Sequence, residues 1–344
     1  MQRKGVCYDV GRVMMGRNWR PDFDPKIVHR ELEIIREDLH CNAVRLQGLD
    51  LDRLAVAAED ALQQGLEVWF SPEMWDRETE DTRAHVVKGA KVAEELRARW
   101  PGRLVFSVGS EVTLFTQGFL PGKNVLERLA NPSFMETLRS GAHNAPLNEF
   151  LAATNSQVRE VFHGPVTYAS VGLETVDWTP FDFVGVDLYR DRRTREIYPA
   201  LLKRYMKFGK PLANMELGCC TFQGADDLGG RGWEIVDWSK MPPQLKGDYV
   251  YDQGTQAREV GELLRVNDQA GVNATFVFTF VEPGVGIHDD LGRQVVRALS
   301  FDRDIVGYSL VKTLLDPMPK STYPEMPWEP KESFKVVADF YASH

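Results

Sequence analysis

Short apolar runs recur along the chain, and between them lie longer stretches whose apolar residues return every three or four positions. The runs Gly5–Val10, Cys41–Leu46, Leu66–Phe70, Leu104–Glu111, Val166–Ser170, Phe181–Arg190, a segment near 212 within Gly209–Cys220, and Asn273–Val281 have the length and β-branched or aromatic content of buried strands. The intervening stretches read as helices. Asp24-Pro25 caps one that continues through Ile27, Val28, Leu32, Ile35 and Leu39. Asp50–Gln64 is a second, stopped by Gly65, and about 78–100 a third, amphipathic through Val86, Val87, Val92 and Leu96. Phe150–Phe162, Glu196–Phe208, Thr255–Gln269 and a stretch near Glu332–Tyr341 complete the set.

Eight strands mostly separated by helices predict a (β/α)8 TIM barrel, an α/β fold, with 1–344 as a single domain. Such barrels take about 250 residues, so the excess falls in three places. These are an insertion after the fourth strand (about 113–148), a long Gly-, Asp-, Trp- and Pro-rich mouth loop after the seventh (about 221–252), and a C-terminal closing segment (about 300–344).

Barrel enzymes carry their chemistry on the loops that follow the strands, and the polar residues of this chain gather there. Tyr8 lies near the end of the first run and Arg45 near the end of the second, Glu73 and Trp75 follow the third, and Glu111 closes the fourth. Glu174 and Trp178 follow the fifth, Asp187 and Tyr189 the sixth, Glu216 the seventh and Glu282 the eighth. Glu216 and Glu111 stand out, because a carboxyl at the rim of a buried strand is both tunable and reachable.

The net charge of −9 argues against nucleic acid as a partner, since phosphate binding needs a basic face. At 43% hydrophobic residues the chain can bury a large core, and no run approaches the ~20 apolar residues of a membrane span. The first ten residues lack the apolar stretch of a signal peptide, so a cytoplasmic protein is expected; an exported one whose leader had been removed would read the same. Cys7, Cys41, Cys219 and Cys220 lack zinc-site spacing and read as reduced thiols. His288, Asp289 and Asp290 read as hydrated loop residues rather than metal ligands, and neither metal nor cofactor is expected.

The phrases VGSEVTLF, FDFVGVDLYR and KPLANMELG, with an arginine ending the second strand, resemble the clan A retaining glycoside hydrolases, and within them the β-mannanase-like family 113. The resemblance spans about Lys4 to Glu282 and is strong in those blocks. It implies double displacement, with Glu111 as acid/base, Glu216 as nucleophile, and Arg45 and Tyr189 orienting Glu216. Retaining chemistry needs two carboxyls roughly 5–5.5 Å apart, one kept protonated and one kept charged. Two departures mark this chain. Ser110 stands where many members carry Asn, and Phe278, Phe280 and Glu282 occupy the region of a family Trp platform, leaving Trp75, Trp178, Trp233 or Trp238 as alternatives.

The substrate class so implied is a small glycoside or oligosaccharide, a β-mannoside among them. Two rivals stand beside it: a barrel enzyme using the same carboxylates for acid/base chemistry on a non-sugar metabolite, as an isomerase or cyclase does, and a non-catalytic barrel that binds carbohydrate or protein.

Overall fold

The computed structural model describes residues 1–283, 287–288, 294–296, 299–314 and 322–344. Eight parallel strands close into a barrel: β1 (Arg3–Gly11), β2 (Ala43–Gly48), β3 (Glu67–Pro72), β4 (Leu104–Ser110), β5 (Val166–Val171), β6 (Val184–Asp187), β7 (Leu212–Leu217) and β8 (Ala274–Val277). Closure is made by β1, which pairs with β2 on one side and with β8 on the other, where Arg3 stands opposite Ala274.

Helices α1 (Pro25–Glu37), α2 (Leu51–Gln63), α3 (Thr79–Arg99), α4 (Asn144–Val161), α5 (Tyr198–Met206), α6 (Gln253–Ala270) and α7 (Glu332–Ser343) coat the outside. Caps begin several of them where the sequence places Asp: Asp24 accepts from the Lys26 amide, Asp50 from Asp52 and Arg53, and Asp252 from Gly254. Gly271, at φ 81, ends α6 in the left-handed conformation that a side chain resists. Between β5 and β6 no helix intervenes, and the connection covers the barrel with Val176, Trp178 and Phe181.

Along each strand one parity faces the helices and the other the barrel axis. Val6, Tyr8, Val44, Leu46, Val68, Phe70, Phe106, Val184, Val186 and Leu212 join the helical coat in the larger apolar core. Cys7, Ala43, Trp69, Val105, Ala169, Phe183, Ala213, Met215, Ala274 and Phe276 fill the interior. Trp69 plugs it, with its ring 4.9 Å from Phe183 and 5.0 Å from Phe276.

The strand assignments differ from the hydrophobic pattern chiefly at the sixth and eighth runs, which are longer in sequence than β6 and β8. Past Val277 the ladder becomes irregular: the Phe278 amide still bonds the Leu217 carbonyl and the Phe280 amide the Cys7 carbonyl, while the Thr279 amide turns to the Tyr308 carbonyl and the Leu310 amide to the Thr279 carbonyl. The excess after β4 holds short helices at Val112–Phe115, Val125–Ala130 and Phe134–Ser140, and α4 starts at Asn144. The stretch after β7 carries 3-10 turns at Ala225–Asp227 and Gly229–Ile235 and a two-stranded ribbon pairing Val236 with Leu245. Among the described residues, no helix is long and apolar enough to cross a membrane. All four cysteines are buried and unpaired.

Candidate active site

Parity decides which strand-end residues reach the axis. In β2 the interior position of Ala43 repeats at Arg45 and Gln47; in β3 that of Trp69 repeats at Ser71 and Glu73. These side chains form a buried polar tier above the Trp69 plug. The Arg45 guanidinium donates to Glu216 Oε1 at 2.9 Å, the Met215 carbonyl at 3.1 Å, Ser71 Oγ at 3.2 Å, Glu73 Oε1 at 3.3 Å and Asp187 Oδ1 at 3.5 Å. Burial works against its charge, but Asp187 and Glu216 outweigh it and hold Arg45 above its ordinary pKa.

Glu216 would miss the axis in a regular strand, because Met215 already points inward and the next residue should point out. Instead β7 carries an extra residue: Val186 and Asp187 of β6 face Asn214 and Glu216, and Thr275 and Val277 of β8 face Asn214 and Leu217. This bulge turns Glu216 toward the barrel mouth, a use of bulges that recurs beside active sites. There Glu216 Oε1 accepts from Arg45 and, at 2.9 Å, from Gln47 Nε2, while Oε2 accepts from the Tyr189 hydroxyl at 3.0 Å. Burial raises the Tyr189 pKa well above ordinary, so the phenol stays a donor.

Glu111 is held differently. An irregularity between Ser107 and Ser110 shifts β4 against β5, and Glu111 itself adopts φ 46, a left-handed conformation that is uncommon outside glycine. Its amide donates to the Ala169 carbonyl at 2.8 Å, and Tyr168, anchored on Glu174, accepts from the Val112 amide at 2.8 Å, so the turn is fixed from behind. Among the described residues no donor reaches the Glu111 carboxyl. Burial, followed by the nearby Asp187, Glu216 and Glu174 carboxylates, pushes its pKa well up.

Glu111 and Glu216 line one open cavity of about 200 Å³, together with Arg12, Trp75, Ser110, Phe115, Tyr189, Phe278 and Glu282. Trp75 stacks on Phe115 at 4.3 Å, and the Arg12 guanidinium, paired with Asp9 at 2.6 Å, lies 5.4 Å from the Trp75 ring and 4.9 Å from the Phe278 ring. Of the alternating phenylalanines, Phe276 packs inside the barrel and Phe280 outside, whereas Phe278 faces the cavity. Trp233 and Trp238 of the mouth loop also reach the cavity. Glu282 accepts from the Tyr308 amide at 3.4 Å, and burial raises its pKa.

Glu73 and Asp187 sit in the tier below. Glu73 Oε1 accepts from Gln47 at 3.0 Å, its Oε2 has no partner among the described residues, and burial pushes its pKa up to about 7 against the pull of Arg45. Asp187 Oδ2 accepts from Ser110 at 3.0 Å, and burial, then Glu216, raises its pKa.

Two expected site residues lie elsewhere. Tyr8 has the outward parity of β1; its hydroxyl donates to Glu31 of α1, which also pairs with Arg20 at 2.7 Å. Trp178 packs outside the barrel between Phe181, Tyr168 and Phe208. Gln47 and Arg12 were not singled out by sequence. Gln47 carried a usable signal, two residues from Arg45 on the same face; Arg12 lies in a polar loop without periodicity. Among the described residues no cluster of His, Cys, Asp and Glu is placed to hold a metal. Asp289 and Asp290 lie outside the described residues.

No protein-family model matches the chain, and no curated protein sequence matches it. Solved structures do. A GH113 β-1,4-mannanase aligns over 100% of both chains with a TM-score of 0.60 at 14% identity. The GH113 β-mannanase AaManA from Alicyclobacillus acidocaldarius, in complex with ManMIm, covers 99% of this chain and 97% of its own at 0.59 and 16% identity. A Bacteroides uniformis β-glucuronidase covers 90% of this chain and 33% of its own at 0.53 and 11% identity. The likeness is one of fold: this chain is a (β/α)8 barrel similar to those of the GH113 β-mannanases along their whole length.

Proposed function

We propose that the chain is a retaining glycoside hydrolase acting on a small glycoside or oligosaccharide, β-mannosides among the candidates. The observation that carries this reading is the contrast between the two carboxyls of one cavity. Glu216 accepts from Arg45, Gln47 and Tyr189, whereas Glu111, with no donor among the described residues, is pushed toward its protonated form. A carboxyl held by three donors suits a nucleophile, and one that burial keeps protonated suits an acid.

In the first step Glu216 attacks the anomeric carbon, the bond to the leaving oxygen breaks, and Glu111 gives that oxygen its proton. In the second, Glu111 takes a proton from water, the water oxygen bonds to the anomeric carbon, and Glu216 departs as a carboxylate. The Trp75 ring, which lines the cavity, offers an aromatic face for sugar C–H groups.

The test is a panel of aryl glycosides, with Glu216→Ala as the paired control, and 2-deoxy-2-fluoro glycosyl inactivators followed by peptide mapping. Turnover that vanishes in the variant, with a covalent label on Glu216, is the expected result. Activity that depends on Glu111 and Glu216 but never labels would point to non-sugar acid/base chemistry. Ligand binding that survives both substitutions, without turnover, would point to a binding protein.

A further inference from the structure

The cavity has an apolar wall on the side of Glu111. Met14 and Met15, from the hairpin Val13–Asn18 after β1, pack with Phe115, Val125 and Leu126 of the post-β4 insertion, and all five side chains line the cavity. Met14, Met15, Phe115 and Leu126 are half-buried, so their apolar surfaces remain partly open. None of the five carries a side-chain N–H or O–H.

The wall is built rather than incidental. The Met15 amide donates to Asp76 Oδ2 at 2.8 Å, and Asp76 lies 3.6 Å from Arg128 of the short helix Val125–Ala130. One carboxylate therefore ties the hairpin to the insertion. The Phe115 amide in turn donates to the Glu111 carbonyl at 3.1 Å, which places the wall one helical turn from the acid/base candidate.

From this we infer that the group bonded to the leaving oxygen is an apolar, aromatic or alkyl aglycone, not a further sugar unit. The inference rests on the glycosidase reading above. An acid that protonates the leaving oxygen must face it, so the aglycone lies on Glu111's side of the cavity. A sugar there would bring several hydroxyls against a surface with no side-chain partners, and stripping them of water without replacement hydrogen bonds is costly. An apolar ring or chain pressed on Met and Leu gains contact area, and methionine accommodates varied shapes. The polar residues of the same hairpin that line the cavity are engaged elsewhere: the Arg17 guanidinium lies 5.7 Å from the Trp238 ring, and Asn18 Oδ1 accepts from the Arg20 amide at 2.9 Å; Glu282 and Arg303 follow β8.

The probe is 2-naphthol, an aromatic alcohol without a sugar, titrated into the whole protein by tryptophan fluorescence and calorimetry. Saturable binding is expected, weakened about tenfold in both Leu126→Asn and Met14→Asn, one on each segment, with melting midpoints checking the folds. Absence of binding, or binding indifferent to both substitutions in folded protein, overturns the proposal. In parallel, 2-deoxy-2-fluoro-mannosyl and -glucosyl fluorides test the parent reading, because fluoride presents no apolar surface to the wall. Glu216 labelling without naphthol binding overturns the aglycone assignment alone. Naphthol binding without labelling overturns the glycosidase reading, and the aglycone role with it.

Discussion

The Ser110 hydroxyl donates to Asp187 Oδ2 at 3.0 Å, tying the residue before Glu111 to the residue that faces Glu216 across β6 and β7. The two carboxyls of the cavity are thus joined through protein by a short polar link. Ser110→Ala removes the donor that lowers the Asp187 pKa and leaves a buried acceptor unmatched there. A loss of about 1–2 kcal/mol in stability is expected, with kcat/KM reduced several-fold. Chemical denaturation and kinetics on the best substrate of the panel check both, and a variant as stable and as active as wild type would remove any role for this link.

Tyr189→Phe should separate chemistry from folding. The hydroxyl is the donor to Glu216 Oε2, while the ring stays packed against Phe278 and Tyr308. A fall of about 10²-fold in kcat, with little change in melting, is the expected outcome for losing one donor aimed at a reacting oxygen.

Arg45 should behave in the opposite way. It is fully buried among Glu73, Asp187 and Glu216, and Arg45→Met would leave these carboxyls without their common cation. The expected cost is about 3–5 kcal/mol, read from urea denaturation, together with lost turnover. A stable Arg45→Met protein would show that the carboxyls already share protons.

The pH dependence has a definite sign. Burial raises Glu73 from the ordinary glutamate value of 4.5 to about 7, so the folded state binds its proton more tightly than the unfolded chain. Stability is therefore greatest below pH 4.5 as far as this group is concerned, and declines as pH rises from there through 7. The full effect is at most about 3 kcal/mol. Glu73→Gln should flatten the decline in melting midpoint between pH 5 and pH 8; parallel curves for variant and wild type would refute it. Activity carries the same sign through Glu111, whose raised pKa keeps the acid protonated above the ordinary carboxylate range and whose deprotonation at higher pH ends turnover.

Tyr8→Phe tests a residue that strand parity moves out of the site. Its hydroxyl bonds Glu31, which keeps Arg20 at 2.7 Å and the Trp328 indole at 2.8 Å when the phenol is gone. About 1 kcal/mol of stability should be lost, while KM and kcat stay as in wild type. A kinetic defect would place Tyr8 back in the site.

The barrel was legible because buried strands and amphipathic helices leave different periods in sequence, and the ends of β2, β4 and β7 drew attention to Arg45, Glu111 and Glu216. Side-chain direction was harder. Tyr8 and Glu73 both stand near the ends of apolar runs, yet Tyr8 follows the inward Cys7 and points out, whereas Glu73 lies four residues beyond the inward Trp69 and points in. Counting parity from a known interior residue would have separated them and would have added Gln47 to Arg45. It would also have sent Glu216 the wrong way, because the extra residue in β7 is visible only in the pairing of its neighbours. Arg12 and Phe278 depend on loops that lack any repeat.

The closure of β1 onto β8 has a consequence for how the protein becomes active. Arg45 and Glu216 meet across 171 residues of chain, and Arg3 reaches Ala274 only when the last barrel strand is in place. Contacts of such long sequence range close slowly, since loop entropy is lost before they form. A nascent chain halted before β8 would hold every proposed catalytic group and still lack the ring that sets their positions. Regain of activity during refolding should therefore coincide with the final cooperative phase, with no partially active species before it.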